Sequence, residues 1–250
     1  MQTDLKVRPM RMGESVLILL LVTLLGVACF YGLRLVLERA GWVSTAAYLV
    51  SLSVVFVVML VWSIAVYFAE GQPTTMKAFL RRNRLESLNS RVLLWGIGLG
   101  LIMLFLTAAF SPLLSRAVSS GLLPLPGGIP DYLNPVKQLS LPLLRDQFAA
   151  QGVLPLIPIV LVLNIAAEEL FWRGMVFPRQ ELQHGKQTYI VHGLIWAFSH
   201  AFQYWMLPPI LLGSLALAYA VQRTRNTWVG IFAHLLNNAL PFLVVLFIAA

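Results

Sequence analysis

Two adjacent glutamates and an arginine, Glu168, Glu169 and Arg173, stand inside an otherwise apolar run from Val153 to Phe177. An ionised side chain at the centre of a bilayer-spanning helix costs about 2.5–3.5 kcal/mol on insertion scales, so such groups persist where they are paired or used. Glu169 and Arg173 lie four apart and fall on one helix face in the favourable order. Glu168 points about 100° away from that pair. It therefore needs a partner on another helix, and His200, His234 and Asn238 are the groups on offer downstream.

The lipid setting follows from composition. Of 250 residues, 59% are hydrophobic and 11% charged, with a mean hydropathy of +0.80; an average soluble chain carries about 25% charged residues. The fold expected is all-α, a polytopic transmembrane helical bundle of about seven spanning helices with one or two interfacial helices. The spans fall near 16–37, 43–69, 92–114, 153–177, 189–205, 210–222 and 227–248, each apolar and most near the 20 residues that cross a bilayer. The whole chain reads as a single integral membrane domain, 1–250, with N-terminal helices and an outer, periplasmic loop over 1–152 and the motif core over 153–240. Gly96 and Gly100 form a small-xxx-small patch suited to close helix approach. Residues 75–91 read as a basic amphipathic segment, with an anionic lipid surface as the expected partner near Lys77–Arg91. Residues 139–148 read as a second interfacial helix.

Charge sets the orientation. With the N-terminus cytoplasmic, twelve of the Lys and Arg residues fall in inner segments and five in outer ones, which is the positive-inside pattern. The formal charge of +8 is thereby assigned to loops facing anionic lipid, and no nucleic-acid partner is expected. Cys29 is the single cysteine, so an intrachain disulfide is excluded. A bacterial inner (plasma) membrane is the expected location.

Counting about 1.5 Å per residue along each helix brings Glu168 and His234 to similar depths in the inner half of the membrane, with His200 nearer the midplane. His234 and Asn238, at i and i+4, share one face. A carboxylate and an imidazole around a shared water make a general-base pair. A second imidazole and a carboxamide supply donors for a developing oxyanion. Peptide hydrolysis needs those parts and no nucleophilic side chain. Neither His-Glu-x-x-His nor Gly-x-Gly-Asp is present, so the common zinc and aspartyl patterns of intramembrane proteolysis do not apply.

Glu168-Glu169-x-x-x-Arg173, then Trp196-x-x-x-His200, then His234-x-x-x-Asn238 resembles the motif series of the CAAX-protease and bacteriocin-processing family, also called Abi, to which the type II CAAX prenyl endopeptidases belong. The middle motif departs from the usual pattern, with Trp196 where Phe is common. The resemblance implies that Glu168 and His200 activate the attacking water, that His234 and Asn238 hold the oxyanion, and that Glu169 and Arg173 support the site. It implies an intramembrane endopeptidase acting on prenylated tails, leader peptides or membrane-bound sorting tails, with cleavage near the cytoplasmic face. No cofactor is required by this reading; zinc, if used, would take Glu168, His200 and His234. Two other readings stay open: a non-catalytic immunity or scaffold protein, and a proton-coupled transporter, because intramembrane Glu and His also relay protons.

Overall fold

A computed structural model describes residues 7–85, 88–137, 142, 143, 146 and 152–249. The architecture is all-helical, with no strand among the described residues. Helix α1 is Met12–Arg39, with a π-helical stretch at Ala28–Leu33. It is followed by α2 (Ser44–Ala69), the short α3 (Met76–Arg82) and α4 (Ser90–Ser119). Helix α5 is continuous over residues 156–184, built from Leu156–Glu168, the π-helical Glu169–Val176 and Phe177–His184. Then come α6 (Thr188–Phe198), a 3-10 stretch at Ala201–Met206, α7 (Leu207–Thr224) and α8 (Trp228–Ala249).

All seven expected apolar segments are helical. Four helices, Met12–Arg39, Ser44–Ala69, Ser90–Ser119 and Ala201–Thr224, are long and apolar enough to cross a membrane. They carry large apolar side chains outward, among them Leu24, Val61, Leu94 and Phe105. Arg34, Glu169 and Arg173 are packed inside, an arrangement that suits lipid rather than water. The expected helix over 189–205 is shorter: regular α-structure stops at Phe198, and Gln203 leaves helical geometry at φ −121°, ψ 53°. The basic segment over 75–91 divides between the short α-helix Met76–Arg82 and the start of α4 at Ser90. Lys77 and Arg81 are exposed, whereas Arg82 and Arg84 turn inward to Glu70 and Glu181. The helix expected at 139–148 lies largely outside the described residues.

Helix α4 packs along α8, α7 along α6 and α4, and α2 along α5. The glycine patch makes the first of these contacts close. A Cβ on Gly96 would come within 2.5 Å of Phe232, and one on Gly100 within 2.8 Å of Leu236, so both backbones approach where only hydrogen fits.

One end of the bundle is locked by ions. Arg82 donates Nε and Nη2 to the two Glu70 oxygens at 2.7 and 2.8 Å and Nη1 to the Gly174 carbonyl at 2.8 Å, and Arg179 reaches Glu70 Oε1 at 2.6 Å. Glu70 thus ties α2 to α3 and to the lower part of α5. Burial pushes its carboxyl up, but the bonds and charges of Arg82 and Arg179 outweigh that and hold it below the ordinary carboxylate value. Because the folded value is the lower, its contribution to stability is complete above the ordinary carboxylate range and is lost as pH falls through the lowered value. Glu70→Ala is expected to strand the buried Arg82 guanidinium and cost about 3–5 kcal/mol at neutral pH. Loss of the exposed Arg8–Glu14 pair should have a small effect by comparison. Thermal midpoints of detergent-purified variants across pH check both statements, and the gap between Glu70→Ala and wild type should narrow in acid.

Candidate active site

Glu168 ends the first α-helical part of α5, and both of its oxygens are engaged. Oε1 accepts from Asn164 Nδ2 at 2.8 Å, one turn back on the same helix, and Oε2 accepts from the Trp196 indole N–H of α6 at 3.2 Å. The same-helix partner corrects the expectation that Glu168 must look only to other helices. The cross-helix partner is an indole rather than an imidazole.

The ending of α6 sets the second group. Since the helix stops at Phe198, the Trp196 carbonyl is left without an intrahelical partner, as carbonyls at a helix C-terminus are. It accepts from Ser199 Oγ at 2.7 Å and from His200 Nδ1 at 2.9 Å. A carbonyl only accepts, so Nδ1 carries the proton and Nε2 of the neutral ring is a lone pair, free to take a proton from water. Trp196 therefore aligns Glu168 with its side chain and His200 with its backbone.

Behind this pair lies a fully buried ion cluster. Glu169 Oε1 accepts from Arg173 Nη1 at 3.1 Å and stands 3.3 Å from His234 Nδ1. The Arg173 guanidinium stacks 4.3 Å from the centre of the Trp196 ring, a cation–π contact. The expected Glu169–Arg173 pair is present, on a π-helical stretch, a feature frequent at functional sites. His234 is thus held by Glu169 through Nδ1, and its other nitrogen needs a proton before it can donate to an oxyanion.

Asn238 donates to Asn164 Oδ1 at 2.8 Å and accepts from Asn237 Nδ2 at 3.0 Å. One N–H of its amide stays uncommitted by these bonds. Asn164 joins Asn238 to Glu168 and was not among the candidate residues. Its signal was its position, one turn before Glu168 in an apolar run.

Glu168, His200, His234 and Asn238 line one cavity of about 340 Å3, together with Asn164, Trp196, Asn237 and apolar residues of α1, α2, α4 and α7. Glu169 and Arg173 lie behind its wall. A zinc ion held by Glu168, His200 and His234 would have to bind beside the bonds that Glu168 already makes to Asn164 and Trp196. Among the described residues no three His, Cys, Asp or Glu side chains converge as a metal's ligands would, both Glu168 oxygens already take N–H donors, and His234 Nδ1 faces Glu169. What the cavity can do is hold water against a carboxylate and an imidazole lone pair, beside amide and imidazole donors.

Gly230, one turn before His234, leaves the space that the Glu169 carboxylate occupies: a Cβ there would overlap Oε2. Because Oε1 is pinned by Arg173 and His234, that carboxylate cannot swing aside without losing a partner. Gly230→Ala should lower stability by about 1–3 kcal/mol, while Gly98→Ala, which meets open space, should not. Parallel melting curves check the contrast.

Residues 150–240 match a family model described as type II CAAX prenyl endopeptidase Rce1-like. No curated protein and no solved structure matches the chain. The matched segment contains all three motifs and the polar groups of the cavity other than Tyr48 of α2 and Thr107 of α4, which precede it. The resemblance expected from the motifs therefore holds over residues 150–240, which are similar to the type II CAAX prenyl endopeptidase, Rce1-like family.

Proposed function

We propose that the chain is an intramembrane endopeptidase of the CAAX-protease type, hydrolysing a peptide bond of a membrane-associated polypeptide without a metal. The observation that carries this reading is the meeting of Glu168 from α5, His200 from the turn after α6, and His234 and Asn238 from α8 in one cavity with apolar walls. Similarity of residues 150–240 to a protease family supports it. In this proposal water sits between Glu168 and His200 Nε2. Its oxygen adds to the scissile carbonyl as its proton passes to that pair, and the resulting oxyanion is met by the Asn238 N–H and by a His234 ring that carries a proton on both nitrogens, its Nδ1–H on Glu169. The carbon–nitrogen bond then breaks, the proton moves to the leaving amine, and an acid and an amine are released.

Seven crossings, with the N-terminus cytoplasmic and the C-terminus outside, complete the proposal, along with an anionic lipid surface beside Lys77, Arg81 and Arg91. Leader peptides and sorting tails fit a bacterial inner membrane better than prenylated tails do. The immunity or scaffold and transporter readings draw on no specific observation; a transporter path would also have to continue past Trp172 and Phe171, which are fully buried.

Comparison of membrane peptide profiles from cells with wild-type chain and with Glu168→Ala tests the activity. Peptides cut only by wild type are expected, and identical profiles would sink the proposal. Glu168→Gln and His200→Ala should each lower turnover by at least about 100-fold. Trp196→Phe, which keeps the ring and removes the N–H to Glu168, should lower it by roughly tenfold. A zinc chelator should leave wild-type turnover unchanged.

A further inference from the structure

We infer that the cavity opens to, and takes its substrate from, the non-cytoplasmic half of the membrane, so that the bond cut belongs to a polypeptide presented from the outer side. The inference rests on the peptidase reading and the proposed orientation, and it replaces the expectation of cleavage near the cytoplasmic face. Its basis is a gradient that repeats on every wall.

On α5, exposure is 0% at Trp172, 7% at Glu168 and 9% at Asn164. On α2 it is 2% at Met59, and it becomes intermediate at Leu52 and Tyr48. Along α4 it rises from 8% at Met103 to exposed at Thr107, and along α8 from 5% at His234 to intermediate at Asn238. Following the chain from Trp196 to Gln203 it climbs from 4% to intermediate. Five walls widen in one direction, so the cavity is a funnel.

That direction is away from the cationic end. The narrow end faces the ends of α2 and α5 that Glu70, Arg82 and Arg179 lock together, and the Arg82 bond to the Gly174 carbonyl seals it. The same end of the bundle holds Lys77, Arg91, Lys186 and Arg223, the side that basic residues mark as cytoplasmic. The wide end lies near the start of α2, where Gln203 Nε2 donates to the Tyr48 hydroxyl at 3.3 Å. There the outer connection is fastened: Tyr132 packs 6.0 Å from Tyr48, and Arg34 donates to the Gly128 carbonyl at 2.7 Å. Depth agrees once the true length of α5 is used. Glu168 is twelve residues from the outer end of the helix at Leu156 and eleven from Arg179 at the ion lock, so it stands near the middle of the span rather than in its inner half.

The test uses the single native cysteine, buried Cys29. In a Cys29→Ala background, Thr107→Cys and Gln203→Cys report the wide end and Lys77→Cys the cationic end, each treated with a membrane-impermeant maleimide in intact cells and in inverted vesicles. Thr107→Cys or Gln203→Cys is expected to react in intact cells, and Lys77→Cys only in inverted vesicles. Reaction of both wide-end cysteines from the inverted side alone, or from neither side, would overturn the inference, as would Lys77→Cys reacting in intact cells. A second arm places a sequence found cut only by wild type in the membrane peptide profiles on the outer or the inner side of a single-span reporter, with Glu168→Ala as control. Cleavage confined to the outer reporter is expected, and cleavage confined to the inner one overturns the assigned side while sparing the peptidase reading. If wild type cuts neither, the peptidase reading fails, and with it the claim on substrate, while the labelling still decides which way the cavity opens.

Discussion

A carboxylate that no solvent reaches stands at the centre of this structure. Glu169 is fully buried, shared between Arg173 on its own helix and His234 on α8, and laid against the bare backbone of Gly230. Removing two full charges from water costs several kcal/mol per ion, which mutual attraction offsets only when geometry is good and further bonds are made. Here the further contacts are the Trp196 ring over Arg173 and the His234 ring on the carboxylate. The π-helical stretch from Glu169 to Val176 belongs to the same arrangement. Departure from regular helix at this point fixes where the acid, the guanidinium and the surrounding aromatics stand relative to one another.

From that centre the orientation of the polar groups spreads outward by elimination. An ionised Glu168 can only accept, so Asn164 must turn its amino group toward it and its carbonyl oxygen toward Asn238. Asn238 then gives an N–H to Asn164 and offers its own oxygen to Asn237. Three amides, each ambiguous alone, are given a single sense by one charge. Trp196 works in the same manner between α6 and α5, its N–H on Glu168 and its carbonyl on His200. The substitution of indole for a phenyl ring at this motif position adds a donor where the usual residue has none.

What could be read from sequence was whatever depends on length, period or local spacing. The apolar segments are helical, Gly96 and Gly100 meet a neighbouring helix, and Glu169 finds Arg173 at i+4. The four motif residues line one cavity. Less visible were features decided by contacts between distant segments. Nothing in Thr188–Phe198 announces that regular helix will stop before His200, because no Gly or Pro falls between Trp196 and Leu207. Asn164 looks like an isolated polar residue until α8 is placed beside it. Arg82, read as part of a basic surface segment, is buried against Glu70 only because Gly174 of α5 and Arg179 arrive from about a hundred residues away. The bonds on Glu168 were equally hidden, since its partners Asn164 and Trp196 belong to no pattern of ligand spacing.

Hydrolysis inside a bilayer also demands that water arrive from one side and go no further. A cavity whose walls are Leu52, Val55, Phe56 and Met103 offers water few partners, and a water needs two to four polar partners to be held. Those partners are concentrated at the floor, in Glu168, His200 and Asn238, and at the rim, in Tyr48 and Gln203. Below the floor, the Glu169–Arg173 pair is packed among the fully buried Trp172, Phe171 and Val176. A polar rim, an apolar shaft and a polar floor over a sealed base form a site that can be wetted without becoming a leak. That combination requires the ion cluster to stay beneath the floor rather than in it, which is why Glu169 and Arg173, the most heavily charged part of the motif, stand behind the cavity wall and leave the adjacent Glu168 facing the substrate space.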